Sequence, residues 1–164
     1  MHFTSRWIYA FIVACCSSVL CYAMYTQYFG GLHPCPLCIT QRAFFVLTAI
    51  VALLAFIVHP YQKGRIITSL LLLLTIIPGA AVAYRQVWLQ GLPPDQVPAC
   101  GPSLEYMFAN LPFGEAFTTL MIGDGNCAEI VWTLFGLSMP NWSMIAFIGL
   151  GLAAIASALP WVKR

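Results

Sequence analysis

Charged side chains are scarce in this sequence. Seven Lys and Arg and five Asp and Glu residues make up 7% of the 164-residue chain, whereas 61% of the residues are hydrophobic. A soluble domain typically carries about a quarter charged residues, so this chain has too few to cover a water-soluble globule. The composition therefore predicts a polytopic all-α membrane protein, in which residues 1–164 form a single membrane domain.

Four long apolar runs can each cross a bilayer, because a spanning helix needs roughly 20 mostly apolar residues. The first is not expected to be a cleaved signal peptide, since its apolar core is long and no clear small-x-small site follows it. Pro78-Gly79 is expected to kink the third, with packing favoured over a cavity as the reason. The predicted helices cover about residues 7–29, 37–58, 66–88 and 142–160, joined by outer loops at about 30–36 and 89–141.

The basic residues predict the orientation of this four-helix bundle. Arginine and lysine are enriched in cytoplasmic loops. With both ends of the chain inside, only Arg42 and Arg85 lie near the opposite face, and five basic residues lie on the cytoplasmic side: Arg6, Lys63, Arg65, Lys163 and Arg164. The predicted topology is therefore N-in and C-in, with two outer loops.

Low-complexity tracts, internal repeats and basic runs are missing from the sequence. A basic run is a common electrostatic footprint of nucleic-acid binding, so no nucleic-acid partner is predicted. The four spans contain no acidic residue, and His2, His33 and His59 all lie outside them. This pattern speaks against a transporter or a metal-handling protein. Metal binding by outer thiolates stays an alternative, which stoichiometric zinc binding would reveal.

A pair of cysteines stands at the outer mouth of the second span, in "PCPLCITQR", residues 34–42. Two intervening residues let the sulfurs of Cys35 and Cys38 meet where a turn leads into a helix, and such pairs can cycle between dithiol and disulfide. The positive end of the helix dipole favours a thiolate there. The spacing therefore predicts a redox-active pair, and a static structural disulfide is the alternative.

An arginine follows this pair inside the membrane. Arg42 lies four residues after Cys38, so the two side chains share one helix face. A charge within a span is costly enough that a functional role is the default hypothesis, and a cation there would stabilise a thiolate or an anionic cofactor intermediate. Gln41 adds a polar group that could face the same pocket. The alternative is a guanidinium that snorkels to the headgroups.

Seven cysteines are present, and the predicted topology divides them. Three lie inside the first span, where a thiol is hardly ionised and behaves as a small hydrophobe: Cys15, Cys16 and Cys21. Four are predicted on the outer side, which in a bacterium is the oxidising periplasm where disulfides persist: Cys35, Cys38, Cys100 and Cys127. The sequence thus separates packing cysteines from candidate redox cysteines.

The outer cysteines of the large loop, Cys100 and Cys127, are separated by 26 residues. A four-cysteine zinc site usually shows two tight pairs, so a long-range disulfide is favoured over a metal site. Cys100 precedes Gly101-Pro102 in an accessible segment that suits exchange with a thiol of another protein. Cys127 lies in a glycine-rich turn that could swing toward the first pair. A static loop staple is the alternative.

Three segments and the four-helix layout resemble the bacterial disulfide bond formation protein B (DsbB) family: "PCPLCITQR", "PPDQVPACGPSLEYM" and "GDGNCAEIVWTLFGLSMPNWS". The resemblance covers nearly the whole chain. It implies a thiol:quinone oxidoreductase of the bacterial inner membrane with its active cysteines on the periplasmic side. The implied partner is a soluble thioredoxin-like protein of the DsbA type. The implied electron acceptor is ubiquinone or menaquinone.

The resemblance also implies roles for the cysteines. The pair Cys35 and Cys38 would exchange two electrons with the quinone, and Cys38, nearest the membrane and Arg42, is predicted to face it. The pair Cys100 and Cys127 would oxidise the soluble partner. Both pairs are therefore predicted as redox-active disulfides.

The predicted quinone-binding residues are Arg42, Gln41, Arg85 and Gln86. Well-known family members carry a histidine near the outer end of the third helix, and the matching position here is Gln86. Arg85 beside it could supply a hydrogen bond or a charge instead. Because of this departure, the sequence does not identify the residue of the third helix that contacts quinone. The predicted thiol chemistry of the four outer cysteines is unaffected.

Two further architectures are alternatives to this interpretation. The first is a structural membrane subunit with two stapling disulfides, whose cysteines would be inert to quinone. The second is the vitamin K epoxide reductase-like bundle, in which the quinone-proximal cysteine pair lies late in the chain. Here the pair opens the second helix, which disfavours that architecture.

Overall fold

The structure is a computed structural model that describes residues 5–32, 34–93, 95–98, 106, 109–112, 114, 115, 118, 123 and 125–159. Four of its helices are long and apolar enough to cross a membrane. They are α1 (Ser5–Tyr28), α2 (Pro36–Val58), α3 (Gln62–Gln90) and α5 (Met139–Ala158). A short helix α4 (Gly125–Ala128) and strands β1 (Thr133–Leu134) and β2 (Leu137–Ser138) precede α5. The predicted all-α membrane fold with four spanning helices is confirmed.

Local chemistry explains where these helices begin and end. Pro36 opens α2 and Pro140 lies in the first turn of α5, positions where a missing N–H leaves no helical bond unmade. His59 ends α2 in the left-handed region, with φ 50°, and its N–H caps the Ala55 carbonyl. Helix α3 begins at Gln62, before its apolar run, so polar flanking residues lengthen the helix beyond the hydropathy signal.

The helices pack around α3, which contacts both α2 and α5, while α1 packs mainly against α2. The centre of the bundle holds the stacked rings of Phe45 and Phe147, whose centroids are 4.1 Å apart. Many large aliphatic side chains, such as Leu54, Leu74 and Ile77, instead point outward and are more than half exposed. An apolar outer surface of this extent is what a lipid environment requires.

A glycine sets the close approach of α3 to α5. Helix α3 continues through Pro78, and the next residue, Gly79, faces the aromatic centre. A Cβ at Gly79 would lie 2.5 Å from Cζ of Phe147 and 3.0 Å from Cβ of Phe44. Real Cβ atoms essentially never approach to 2.5 Å, so the lack of a side chain at Gly79 permits the close helix packing that was favoured from the sequence.

Replacement of Gly79 by alanine is expected to destabilise the bundle by about 1–2 kcal/mol, because overpacking outweighs the gain in helix propensity. Thermal unfolding in detergent measures this change. The matched control is Gly149→Ala on α5, where an added Cβ meets no atom within 4 Å. The control should be neutral or slightly stabilising. Equal stability of the two variants would contradict this account of Gly79.

The end of the bundle far from the cysteine pair is closed by a buried arginine. Arg65 is 3% exposed; its Nε donates to the Ser157 carbonyl at 2.8 Å and its Nη2 to the Leu159 carbonyl at 2.7 Å. A cation at a helix C-terminus also complements the negative end of the dipole. Arg65 thus joins the start of α3 to the end of α5.

Candidate functional site

Two thiols meet at the opposite end of the bundle, where α2 begins. Cys35 is the N-cap residue of α2, and its Sγ accepts a hydrogen bond from the backbone N–H of Cys38 at 3.4 Å. The two Sγ atoms are 3.1 Å apart and both cysteines are free. A disulfide bond needs them only about 1 Å closer. The helix start therefore presents the pair in a geometry suited to oxidation.

A third thiol joins the pair from the large loop. Cys127 lies in α4, is fully buried, and packs with Cys35, Leu37 and Leu89. Its side chain forms a hydrogen bond with Cys35. Cys127 of the large loop thus lies beside Cys35 at the start of α2, a proximity that was considered from the sequence. Cys100, the predicted partner of Cys127, lies outside the described residues.

The environment of Cys35 keeps it protonated. Its hydrogen bonds with Cys127 and Cys38, followed by burial, raise the pKa of the Cys35 thiol above its ordinary value of 9.0. Only the thiolate is nucleophilic, so Cys35 is suited to receive an attack rather than to make one.

We expect a pH-dependent alkylation pattern from this environment. In the fully reduced protein, Cys35 should react with iodoacetamide more slowly than an ordinary cysteine between pH 7 and pH 9, because its raised pKa leaves less thiolate there. Mass spectrometry of the peptide measures the rate. Protein unfolded in sodium dodecyl sulfate is the control, in which Cys35 should react as an ordinary thiol. Rapid labelling of folded Cys35 at pH 7 would contradict this assignment.

Two buried glutamines lie beneath the thiols. Gln86 on α3 is 3% exposed, and its Nε2 lies 3.3 Å from Cys35 Sγ and 3.2 Å from Cys38 Sγ. Gln41 on α2 is 4% exposed and donates from its Nε2 to Gln86 Oε1 at 2.6 Å. Gln86 therefore contacts both sulfurs, and its Oε1, which accepts from Gln41, lies 3.6 Å from Cys38 Sγ.

Arg42 is held in place by α1. Its guanidinium donates to Gln27 Oε1 and, at 3.1 Å, to the Ala23 carbonyl, and Met24 Sδ lies 3.8 Å away. These contacts direct the cation between α1 and α2 and differ from those of a side chain that extends to the headgroups. Gln27 was not singled out in the sequence, although a polar residue near the end of an apolar run was an available signal.

Arg85 points to a different environment from its neighbour Gln86. The Arg85 guanidinium carbon lies 4.3 Å from the centroid of the Trp88 ring, a cation–π contact on the same helix. Gln86 instead faces the sulfurs. The structure thus separates the two adjacent residues that the sequence placed at one site.

A cavity of about 450 Å³ opens between α1, α2, α5 and residues 131–134. Cys38, Gln41 and Arg42 lie on its wall, so one sulfur, one amide and one cation face a mostly apolar space. Among the described residues that line it, neither Arg85 nor Gln86 occurs. The volume falls within the range typical of small-molecule sites.

Aromatic side chains of the loop and α1 cover this cavity. The rings of Tyr22 and Trp132 meet edge to face, with centroids 5.7 Å apart, and Trp142 Nε1 donates to the Leu134 carbonyl. Tyr22 and Trp132 were missed in the sequence, because only the fold brings the loop over α1.

The sequence matches the family model described as Disulfide bond formation protein DsbB over residues 5–157. Proteins called Disulfide bond formation protein B are similar to this chain. The one from Hahella chejuensis is 45% identical and covers 98% of this chain and 96% of its own length. The one from Saccharophagus degradans is 49% identical, and the match covers 85% of this chain and 84% of that protein. Disulfide bond formation protein B 1 of Pseudomonas aeruginosa is 43% identical, and the match covers 87% of this chain and 88% of that protein. The family match includes α1, α2, α3, all but the last residue of α5, and the described cysteines of the site.

Proposed function

This chain belongs to the DsbB family of disulfide bond formation proteins, and we propose that it is a quinone-dependent thiol oxidase. Its substrate is the reduced form of a soluble thioredoxin-like dithiol protein of the DsbA type. Two electrons from that protein pass through two cysteine pairs to ubiquinone or menaquinone. The proposed location is the bacterial inner membrane, with the cysteines on the periplasmic side.

One observation supports this proposal: the first cysteine pair contacts both the apolar cavity and the large loop. Cys38 lies on the wall of the apolar cavity, while Cys35 contacts Cys127 of the large loop. A pair in this position is suited to receive electrons from the loop cysteine and to pass them to an apolar acceptor in the cavity. A purely structural disulfide would not require Cys38 to line this cavity.

The cavity residues fit a quinone. The walls are largely apolar and aromatic, as a flat ring with an isoprenoid tail requires, and the Arg42 guanidinium and the Gln41 amide are donors suited to a carbonyl oxygen. A bound quinone supplies a lipid-soluble acceptor of two electrons and two protons. Arg42 would hold it through its positive charge, and Cys38, which lies on the cavity wall, would be the sulfur that reacts with it.

The cysteines perform the rest by thiol–disulfide exchange. A thiolate of the soluble protein attacks the Cys100–Cys127 disulfide, and its second thiol resolves the mixed disulfide and leaves oxidised. The freed Cys127 thiolate then attacks Cys35 of the Cys35–Cys38 disulfide, and the electron pair of the broken bond goes to Cys38. Attack of Cys100 on Cys127 restores the loop disulfide and releases Cys35. The first pair now holds the two electrons and two protons.

The direct test is anaerobic oxidation of the reduced protein in detergent by a short-chain ubiquinone, with free thiols counted by a mass-tagging alkylator. Four of the seven thiols should be lost, namely those of Cys35, Cys38, Cys100 and Cys127. A short-chain menaquinone in a parallel reaction identifies the preferred acceptor. Four outer thiols that stay free with both quinones would overturn the proposal and favour a structural staple.

Replacement of Cys38 by serine is expected to slow this quinone-driven thiol loss by more than about 1,000-fold, as removal of a reacting nucleophile does in other enzymes. The matched control is Cys21→Ser, which changes an exposed cysteine of α1. The control should react at the unaltered rate. Comparable oxidation in the Cys38 variant would show that another sulfur meets the quinone.

A further inference from the structure

The side chain of Gln86 contacts the two sulfurs and is not among the described residues that line the cavity. Its side chain is nearly fully buried between α2 and α3, and its Nε2 lies within 3.3 Å of both Cys35 Sγ and Cys38 Sγ. An amide N–H is a donor, and hydrogen bonds to a charged acceptor are roughly twice as strong as neutral ones. The Gln86 amide is therefore placed to bind a thiolate more strongly than a thiol or a disulfide.

Gln41 determines which end of that amide faces the sulfurs. A carboxamide can rotate to present either its oxygen or its NH₂ group. The Gln41 Nε2 donates to Gln86 Oε1 at 2.6 Å. This bond leaves Gln86 Nε2 as the amide atom nearer to Cys38 Sγ, at 3.2 Å against 3.6 Å for Oε1, and Nε2 also lies 3.3 Å from Cys35 Sγ. Both glutamines are buried, so little water competes for these bonds.

We propose that Gln86 is a catalytic residue that stabilises the Cys38 thiolate, and that Gln41 is a positioning residue that orients Gln86. The inference rests on the proposed function for the step concerned. When a thiolate attacks Cys35, the Cys35–Cys38 bond breaks and its electron pair goes to Cys38 Sγ. The Gln86 N–H then donates to that new anion. No oxidant or proton donor beyond the exchanging thiols is needed.

The inference predicts the redox equilibrium of the pair. A donor that stabilises the reduced state makes the disulfide more oxidising, so its removal should make the disulfide harder to reduce. We expect Gln86→Met, which keeps the length but removes the donor, to change the reduction equilibrium of Cys35–Cys38 by about tenfold. This change corresponds to a potential about 30 mV more negative.

The experiment equilibrates full-length protein in detergent with dithiothreitol redox buffers and measures the Cys35–Cys38 disulfide by mass spectrometry. Cys38 alkylation is measured in parallel, and Gln86→Met should slow it at pH 7 by about tenfold but leave it unchanged at pH 10. The matched control is Gln90→Met on the same helix, where the glutamine accepts from Ser138 instead of facing a sulfur. The control should behave like the unaltered protein.

Gln41→Met should produce a smaller change of about threefold, because the Gln86 amide remains but is free to rotate. In these quinone-free measurements the double variant should match Gln86→Met alone, since Gln41 acts on the two sulfurs only through Gln86. Additive effects would overturn the positioning role of Gln41. Should Gln86→Met not fold, Gln86→Asn, which draws the donor back from the sulfurs, is expected to shift the potential in the same direction.

An unchanged potential and an unchanged Cys38 alkylation profile in the Gln86 variants would overturn the catalytic role. Neither measurement uses quinone or the soluble protein. If quinone fails to oxidise the unaltered protein, the proposed function is wrong. The two measurements above would still decide the role of Gln86.

Discussion

Replacement of Cys127 by serine is expected to reduce oxidation of a soluble thioredoxin-like dithiol protein by more than about 1,000-fold, because the loop loses the sulfur that we propose carries electrons to Cys35. The reaction of the first pair with quinone should survive, since Cys35, Cys38 and the cavity wall are unaltered. A coupled assay that follows quinone absorbance, with and without the dithiol protein, measures both reactions.

The control for this prediction is Cys15→Ser, at a half-buried position within α1 that is distant in sequence from the exchanging pairs. It should keep both reactions. Sustained oxidation of the soluble protein by the Cys127 variant would mean that the partner attacks Cys35–Cys38 directly. The relay through the loop would then be wrong, even with a functional quinone site.

Replacement of Arg42 by methionine is expected to raise the KM for quinone by about 10-fold to 100-fold, because a charge-assisted hydrogen bond contributes about 1.5–3 kcal/mol. The variant should also lose about 1–2 kcal/mol of stability, since Arg42 links α2 to Gln27 and the Ala23 carbonyl of α1. Initial rates over a quinone titration and thermal unfolding measure the two effects separately.

The variant Gln27→Met distinguishes the anchoring of Arg42 to α1 from the effect of the Arg42 charge on quinone binding. It removes the α1 partner of Arg42 but keeps the cation, so stability should fall while the KM for quinone changes much less. Arg42→Lys keeps the charge without the fork of donors and should lie between the unaltered protein and Arg42→Met. A KM unchanged in Arg42→Met would show that the guanidinium only ties the two helices together.

The bundle was predictable because its signal is local. Runs of about 20 apolar residues identify spanning helices whatever their neighbours are, and each predicted run lies within or close to one observed helix. The helix ends were less predictable, because hydropathy does not detect polar caps. Helix α3, for example, begins at the polar residue Gln62, before its apolar run, and hydropathy alone does not detect such a start.

The site was only partly predictable, for the same reason. Cys35, Cys38 and Arg42 lie within eight residues on one helix start, so spacing alone places them on adjoining surfaces. Gln86 is 48 residues from Cys38, and its contact with the sulfur depends on the register of α2 against α3. Adjacent Arg85 and Gln86 look equivalent in the sequence, yet helical rotation directs one to Trp88 and the other to the thiols.

The sequence by itself determined a membrane protein of four helices with a redox-type cysteine pair at one helix mouth, because composition, hydropathy and short spacing act within single helices. Only the tertiary structure decided that Cys127 reaches Cys35, that Arg42 is held by α1, and that Gln41 orients Gln86 beneath two sulfurs. These contacts join residues far apart in the chain, and helix packing, which glycine at position 79 permits, determines which faces meet.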